Sequence, residues 1–125
     1  MSYRTFKNMP KETDTPKETR NTRVVKLTSS EQKAEILNKS DGLCVIDYYA
    51  DWCGPCVKFS SQFDKLSIKY PQCTFLKENV DDDLDYKAED ISSIPCFHLI
   101  KGGKLVQKMV GADLEKLDRY VYLHR

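Results

Sequence analysis

DYYADWCGPCVKF, residues 47–59, puts two cysteines three positions apart with Gly-Pro between them. Cys53 and Cys56 could be metal ligands, a structural staple or a reactive pair, and their flanks narrow the choice. Upstream, LCVIDYYA (43–50) is an almost continuous apolar run, the pattern of a strand buried on both faces, broken only by Asp47. Downstream, PCVKFSSQFDKLSIKY (55–70) repeats Cys56, Phe59, Phe63, Leu66 and Tyr70 at spacings of three or four, which predicts a helix with one apolar stripe, stopped by Pro71. Cys53 is therefore expected where a buried strand hands over to a helix. Unpaired N–H groups and the positive dipole end at such a place stabilise an anion, so a thiol there loses its proton more readily. Pro55 suits the first helical turn, where a missing N–H costs nothing, and Gly54 would let another backbone approach. The expectation is an exposed, nucleophilic Cys53 and a more deeply set Cys56 able to close a disulfide with it.

Working outward, VVKL (24–27) reads as a short strand, and TSSEQKAEILNKSDG (28–42) as a helix. Ser29 with Gln32, or Thr28 with Glu31, supplies its N-terminal signal. CTFLKENV (73–80) is a further strand and DDLDYKAEDI (82–91) a short polar helix. CFHLIK (96–101) and KLVQKMV (104–110), joined at Gly102-Gly103, read as a hairpin. DLEKLDRYVYLHR (113–125) closes the chain as an amphipathic helix with Leu114, Leu117, Tyr120 and Val121 inward. The order β-α-β-α-β-α-β-β-α predicts an α/β fold, a central mixed sheet of about five strands flanked by four helices.

The chain has 125 residues, one domain's worth, and a net charge of +1, which gives no basic field for nucleic acid or an anionic membrane. No apolar stretch approaches a membrane span of roughly 18 residues. Residues 1–23 carry PKET twice, six basic and three acidic residues and few apolar ones. They are expected to be a solvated, flexible tail ahead of a domain spanning 24–125. The tail has no apolar core of a secretory signal, and acidic residues interrupt its basic ones. With five cysteines, an odd count, this points to a reducing compartment, and a cytoplasmic location is expected. One C-x-x-C and two remote histidines, His98 and His124, make no zinc set, so no metal is expected.

DYYADWCGPC resembles the active-site segment of the thioredoxin family, and the resemblance extends along the chain. KENVD (77–81), SIPCFHLIKGGK (93–104) and VGAD (110–113) match the family's strand end, its Ile-Pro turn with the following hairpin, and the entry to its last helix. A lowered thiol pKa in a C-x-x-C pair is itself a known property of thioredoxin, so it enters as a family expectation. The resemblance implies the thioredoxin fold and a thiol–disulfide oxidoreductase, a protein-disulfide reductase cycling Cys53–Cys56. Cys53 would attack and Cys56 resolve. Asp47 would assist proton transfer at Cys56, with Lys77 beside it; a carboxylate in an apolar strand should have a raised pKa, which suits a base near neutral pH. Pro95 would be cis and Ile94 free to pair with a substrate strand, with Trp52, Gly54, Pro55 and Gly111 completing the client-binding surface. No bound cofactor is implied. Electrons would come from a thioredoxin reductase using NADPH, the partners would be disulfide-containing clients, and the protein would act as a monomer. A disulfide isomerase or oxidase, or a non-enzymatic binding module on the same fold, are the alternatives.

Two positions depart from the family pattern. Val57 follows Cys56 where Lys or Arg is common, which alters the charge near the second thiol and the partner surface. Cys96 follows Pro95 where Thr is common, and reads either as a small buried strand residue or as a third redox-active thiol. Cys44 and Cys73 are expected to be inert core thiols.

Overall fold

The computed structural model describes residues 21–84 and 91–125. Among these, five strands and three α-helices follow one another: β1 (Val25–Lys26), α1 (Ser30–Lys39), β2 (Leu43–Tyr49), α2 (Gly54–Lys69), β3 (Thr74–Asn79), β4 (Cys96–Lys101), β5 (Lys104–Val110) and α3 (Leu114–His124). The strands form one sheet in the order β1-β3-β2-β4-β5. β1, β3 and β2 run parallel, and β4 and β5 are antiparallel to their neighbours. Parallel pairing of β2 with β3 demands a crossover, which α2 supplies. The central place of β2 explains its continuous apolar run: six of its seven residues are buried, and Tyr49 is half-buried.

Side chains alternate across the sheet, so each face has its own core. On one face Val45, Phe75, Phe97 and Leu99 pack against Phe59, Phe63 and Leu66 of α2 and Leu117 and Val121 of α3. Phe63 sits edge-on to Phe75 at 5.5 Å and tilted against Phe97 at 5.9 Å between ring centroids. The apolar stripes read from the sequence are the buried faces of both helices. On the other face Ile46, Tyr48, Leu76 and Cys96 meet Leu27, with Ile36 and Leu37 of α1 at the margin. Here Lys33 is buried too, its Nζ 3.0 Å from Glu78 Oε1 and 2.9 Å from the Tyr48 hydroxyl.

Local signals place the ends. Ser29 caps α1 by accepting the Gln32 N–H at 3.0 Å, while the Gln32 side chain reaches back to accept the Thr28 N–H at 2.7 Å. Asp113 caps α3 through the Lys116 N–H. The Gly102-Gly103 hairpin has φ of 62° and 77°, the left-handed pair that a two-residue turn between twisted strands needs. Arg23 donates its N–H to Ser67 Oγ and Thr22 its hydroxyl to Asp64, so the chain engages α2 just ahead of β1.

The expected helix over 82–91 does not begin at 82. Residues Val80–Asp82 make a single 3₁₀ turn, closed by Asp83 in a left-handed conformation at φ 53°. Residues 85–90, the rest of that expectation, lie outside the described residues, as do residues 1–20 of the expected tail. The helix count among the described residues is therefore three rather than four.

Candidate active site

Cys53 stands where expected, as the N-cap of α2 between β2 and the helix. It is joined to Cys56 by a disulfide, with 5.3 Å between the Cα atoms. Cys53 Sγ accepts the backbone N–H of Cys56 at 3.2 Å. Together with the positive end of the 16-residue α2, that donor is what a thiolate at this position would draw on. Pro55 occupies the first turn, as read from the sequence.

Cys53 is less exposed than anticipated. It is 6% accessible against 3% for Cys56. Tyr49, Val80 and Ile94 pack against the cysteine pair and Ala50, and the Ile94 carbonyl oxygen lies 3.9 Å from Cys53 Sγ. These apolar walls shade the sulfur that the sequence pattern alone would leave open. A second difference concerns Gly54: a Cβ built there meets nothing within 4 Å, so among the described residues nothing beyond its own helical turn approaches it. The space beside Gly54 is open to a visitor from outside.

Asp47 is in the middle of β2, 4% accessible, on the sheet face that α2 covers. Its Oδ1 has no hydrogen-bond partner among the described residues. Burial pushes its carboxyl up to about 7, against the smaller pull of the Lys77 cation downward. Lys77 is its neighbour across the β2–β3 pairing and lies with Nζ 5.6 Å from the Tyr49 ring centroid. A carboxyl of this kind can hold or release a proton near neutral pH.

Of the remaining residues singled out in the sequence, Ile94 packs directly against the pair. The Ile94–Pro95 bond is cis, and the Pro95 carbonyl accepts the N–H of Gly111 at 2.9 Å, tying the two loops together. Gly111 has φ 103°, a conformation open to glycine and little else. Trp52 is 70% exposed and donates its indole N–H to Asp81 at 2.9 Å. Val57 is 58% exposed on the outer surface of α2.

The third thiol next to the cis proline falls on the other sheet face. Cys96 is 1% accessible, opposite Tyr48 in the β2–β4 ladder, in a different cluster from the Cys53–Cys56 pair. That placement supports the small-core-residue reading. Cys44 and Cys73 are also free and buried, and burial pushes the Cys73 thiol up. Among the described residues no group of His, Cys, Asp and Glu could hold a metal, and no helix is long and apolar enough to cross a membrane. Sequence reasoning missed Asp81, which fixes the Trp52 indole; its only signal was the acidic run that follows β3.

Comparison with known proteins agrees with this geometry. The family described as Thioredoxin matches residues 23–122. Thioredoxin-T of Drosophila melanogaster is 38% identical over 92 residues, 72% of this chain and 59% of that protein's length. Mitochondrial thioredoxin-3 of Saccharomyces cerevisiae is 36% identical over 99 residues, 78% of this chain and 77% of that one. Among solved structures, a Nicotiana alata thioredoxin superposes with a TM-score of 0.78 at 33% identity, covering 83% of this chain and 94% of that one.

Proposed function

The chain belongs to the thioredoxin family and is a thiol–disulfide oxidoreductase, and from that premise we propose how its residues divide the work. The observation that carries the reading is the disulfide at the start of α2, with Cys53 Sγ accepting the Cys56 N–H. In the reduced protein the Cys53 thiolate attacks one sulfur of a client disulfide. A mixed disulfide forms, and the first client sulfur leaves as a thiolate and takes a proton. Asp47, as carboxylate, accepts the Cys56 proton. The Cys56 sulfur then attacks Cys53 Sγ, breaks the mixed bond and expels the second client sulfur as a thiolate, which takes the proton that Asp47 held. Two electrons and two protons pass to the client, and Cys53–Cys56 is left oxidised.

Lys77 moderates the charge on Asp47, and Ile94 and Pro95 receive the client beside the sulfurs. Trp52, Gly54, Pro55 and Gly111 form the surface it lies on, the open space at Gly54 being part of it. No cofactor is bound; a thioredoxin reductase drawing on NADPH restores the dithiol. The protein acts as a monomer, without nucleic acid or membrane. A cytoplasmic location is supported by the three cysteines left free, Cys44, Cys73 and Cys96.

The test uses two variants against insulin. Cys53→Ser should lose disulfide reduction while keeping its circular dichroism. Cys56→Ser should instead accumulate mixed disulfides, seen by mass spectrometry and released by dithiothreitol. Reduction of insulin by Cys53→Ser at the wild-type rate would overturn the assignment.

A further inference from the structure

The surface around the disulfide has two unlike flanks. On the Trp52 side the carboxylates of Asp51, Asp82 and Asp83 are exposed, as is Asp81, which holds the Trp52 indole. None of them is in an ion pair among the described residues. The closeness of Asp51 and Asp82 to the site shows at Tyr49, whose ring packs on the cysteine pair: burial, then the charges of Asp51, Asp82 and Asp47, hold its phenol above the usual range, while Asp83 lines a groove with Trp52. A groove of about 540 Å³ opens on this flank, walled by Trp52, Val80, Ile91 and Ile94, with Asp83 adding an exposed carboxylate. Val80 and Ile94 are shared between the groove and the packing around the disulfide, so the groove continues directly into the site. The other flank is different. Gly54, Pro55, Lys58 and Ala112 line a hollow there, Val57 is 58% exposed on α2 and Val110, next in the chain to Gly111, is 54% exposed, and Lys58 adds a cation instead of an anion.

Such a face is complementary to one kind of extended segment. Its body must be apolar enough to cover Trp52 and the valines, and its charge must be positive where it passes the carboxylates. Unlike charges across a docking surface raise the association rate, and like charges in the same place lower it.

We propose that this face selects clients by charge: the favoured disulfide lies in an extended segment with Lys or Arg over the Trp52 groove and apolar residues over Val57 and Val110. Asp51, Asp82 and Asp83 are the residues that set the preference. This rests on the oxidoreductase reading above and names its substrate class.

The experiment measures single-turnover reduction by the pre-reduced protein, followed by fluorescence. Three synthetic peptides carry the same disulfide, with flanking pairs of Lys, Gln or Glu. Each rate is divided by that peptide's rate with dithiothreitol, which removes intrinsic differences between the disulfides. At low ionic strength the Lys peptide is expected to react about tenfold faster than the Glu peptide, and at about 0.5 M salt about twofold faster, as screening shortens the reach of the charges. The Asp51→Asn, Asp82→Asn, Asp83→Asn triple variant should bring the ratio within about twofold in both conditions. Asn suits the left-handed backbone at position 83. Because the ratio is internal to each protein sample, a partly unfolded variant still reports it.

Lys and Glu peptides reacting equally, or Glu faster, in the wild type at low salt would overturn the proposal. So would a tenfold ratio that persists in the triple variant. The Gln peptide separates the two levels: if it is reduced while the charge ratio is flat, only the selectivity fails; if it is not reduced at all, the oxidoreductase reading fails and the selectivity with it.

Discussion

At Asp47 burial and the Lys77 cation pull in opposite directions, and burial wins, leaving a carboxyl that titrates at about 7 where an exposed one titrates at 3.8. The sign for stability follows. Because the folded pKa lies above the unfolded one, the folded protein holds the proton more tightly. The contribution is fully present below pH 3.8 and is lost as pH rises through about 7. Asp47→Asn should therefore be more stable than the wild type at pH 8, by about 2–4 kcal/mol, with the difference fading toward pH 4; urea melts at the two pH values check it. The same change should slow disulfide reduction roughly 10- to 100-fold at pH 7, near the low end of what a positioned acid–base group supplies. An unaltered rate would remove Asp47 from the proton path. Cys96 is 1% accessible and packed in the core beside Tyr48, so Cys96→Thr should leave insulin reduction within a few-fold of wild type; a tenfold loss would restore it as a redox residue. Asp47 was legible as an isolated acid in an apolar run. The shading of Cys53 was not, since Val80 and Ile94 come from distant segments that only the fold brings to the sulfur.

At the scale of elements, most boundaries were legible because local chemistry sets them. Ser29 with Gln32 starts α1, Pro55 and Pro71 bracket α2, and two glycines turn the β4–β5 hairpin. The exceptions have tertiary causes. Asp83 adopts a left-handed conformation and ends the turn after β3, so the helix expected from 82 does not start at that residue. In α1 the fully buried residue is Lys33, beside the half-buried Ile36 and Leu37. Lys33 is stabilised in the interior by Glu78 of β3 and Tyr48 of β2, partners 45 and 15 residues away that no helical pattern reveals. Replacing Lys33 with Met removes the cation 3.0 Å from the Glu78 carboxylate, and should cost about 3–5 kcal/mol in denaturant melts. Joint replacement with Glu78→Leu should recover most of that loss, because the buried pair contributes little beyond satisfying itself. A Lys33→Met variant as stable as wild type would show that Glu78 is satisfied without it.

For the whole molecule, the sheet order β1-β3-β2-β4-β5 puts the one strand that feeds the site, β2, at the centre, and hangs the Ile94–Pro95 loop at the start of its antiparallel neighbour. The C-x-x-C and its flanks announced the junction; the sheet order depends on long-range pairing and was not readable from spacing. The chain engages α2 from Thr22 onward, so a protein beginning at Asn21 should keep the wild-type melting temperature within about 2 °C and its reductase rate within about twofold. A larger loss would give residues 1–20 a part in the domain. The account as a whole rests on a thiol at the mouth of α2 that ionises easily despite its apolar walls. The direct test is the pH dependence of iodoacetamide alkylation of Cys53 in the reduced Cys56→Ser protein, read by mass spectrometry. The account predicts a midpoint at least about one pH unit below the value of about 8.5 for an unperturbed thiol. A midpoint at about 8.5 or above would contradict it.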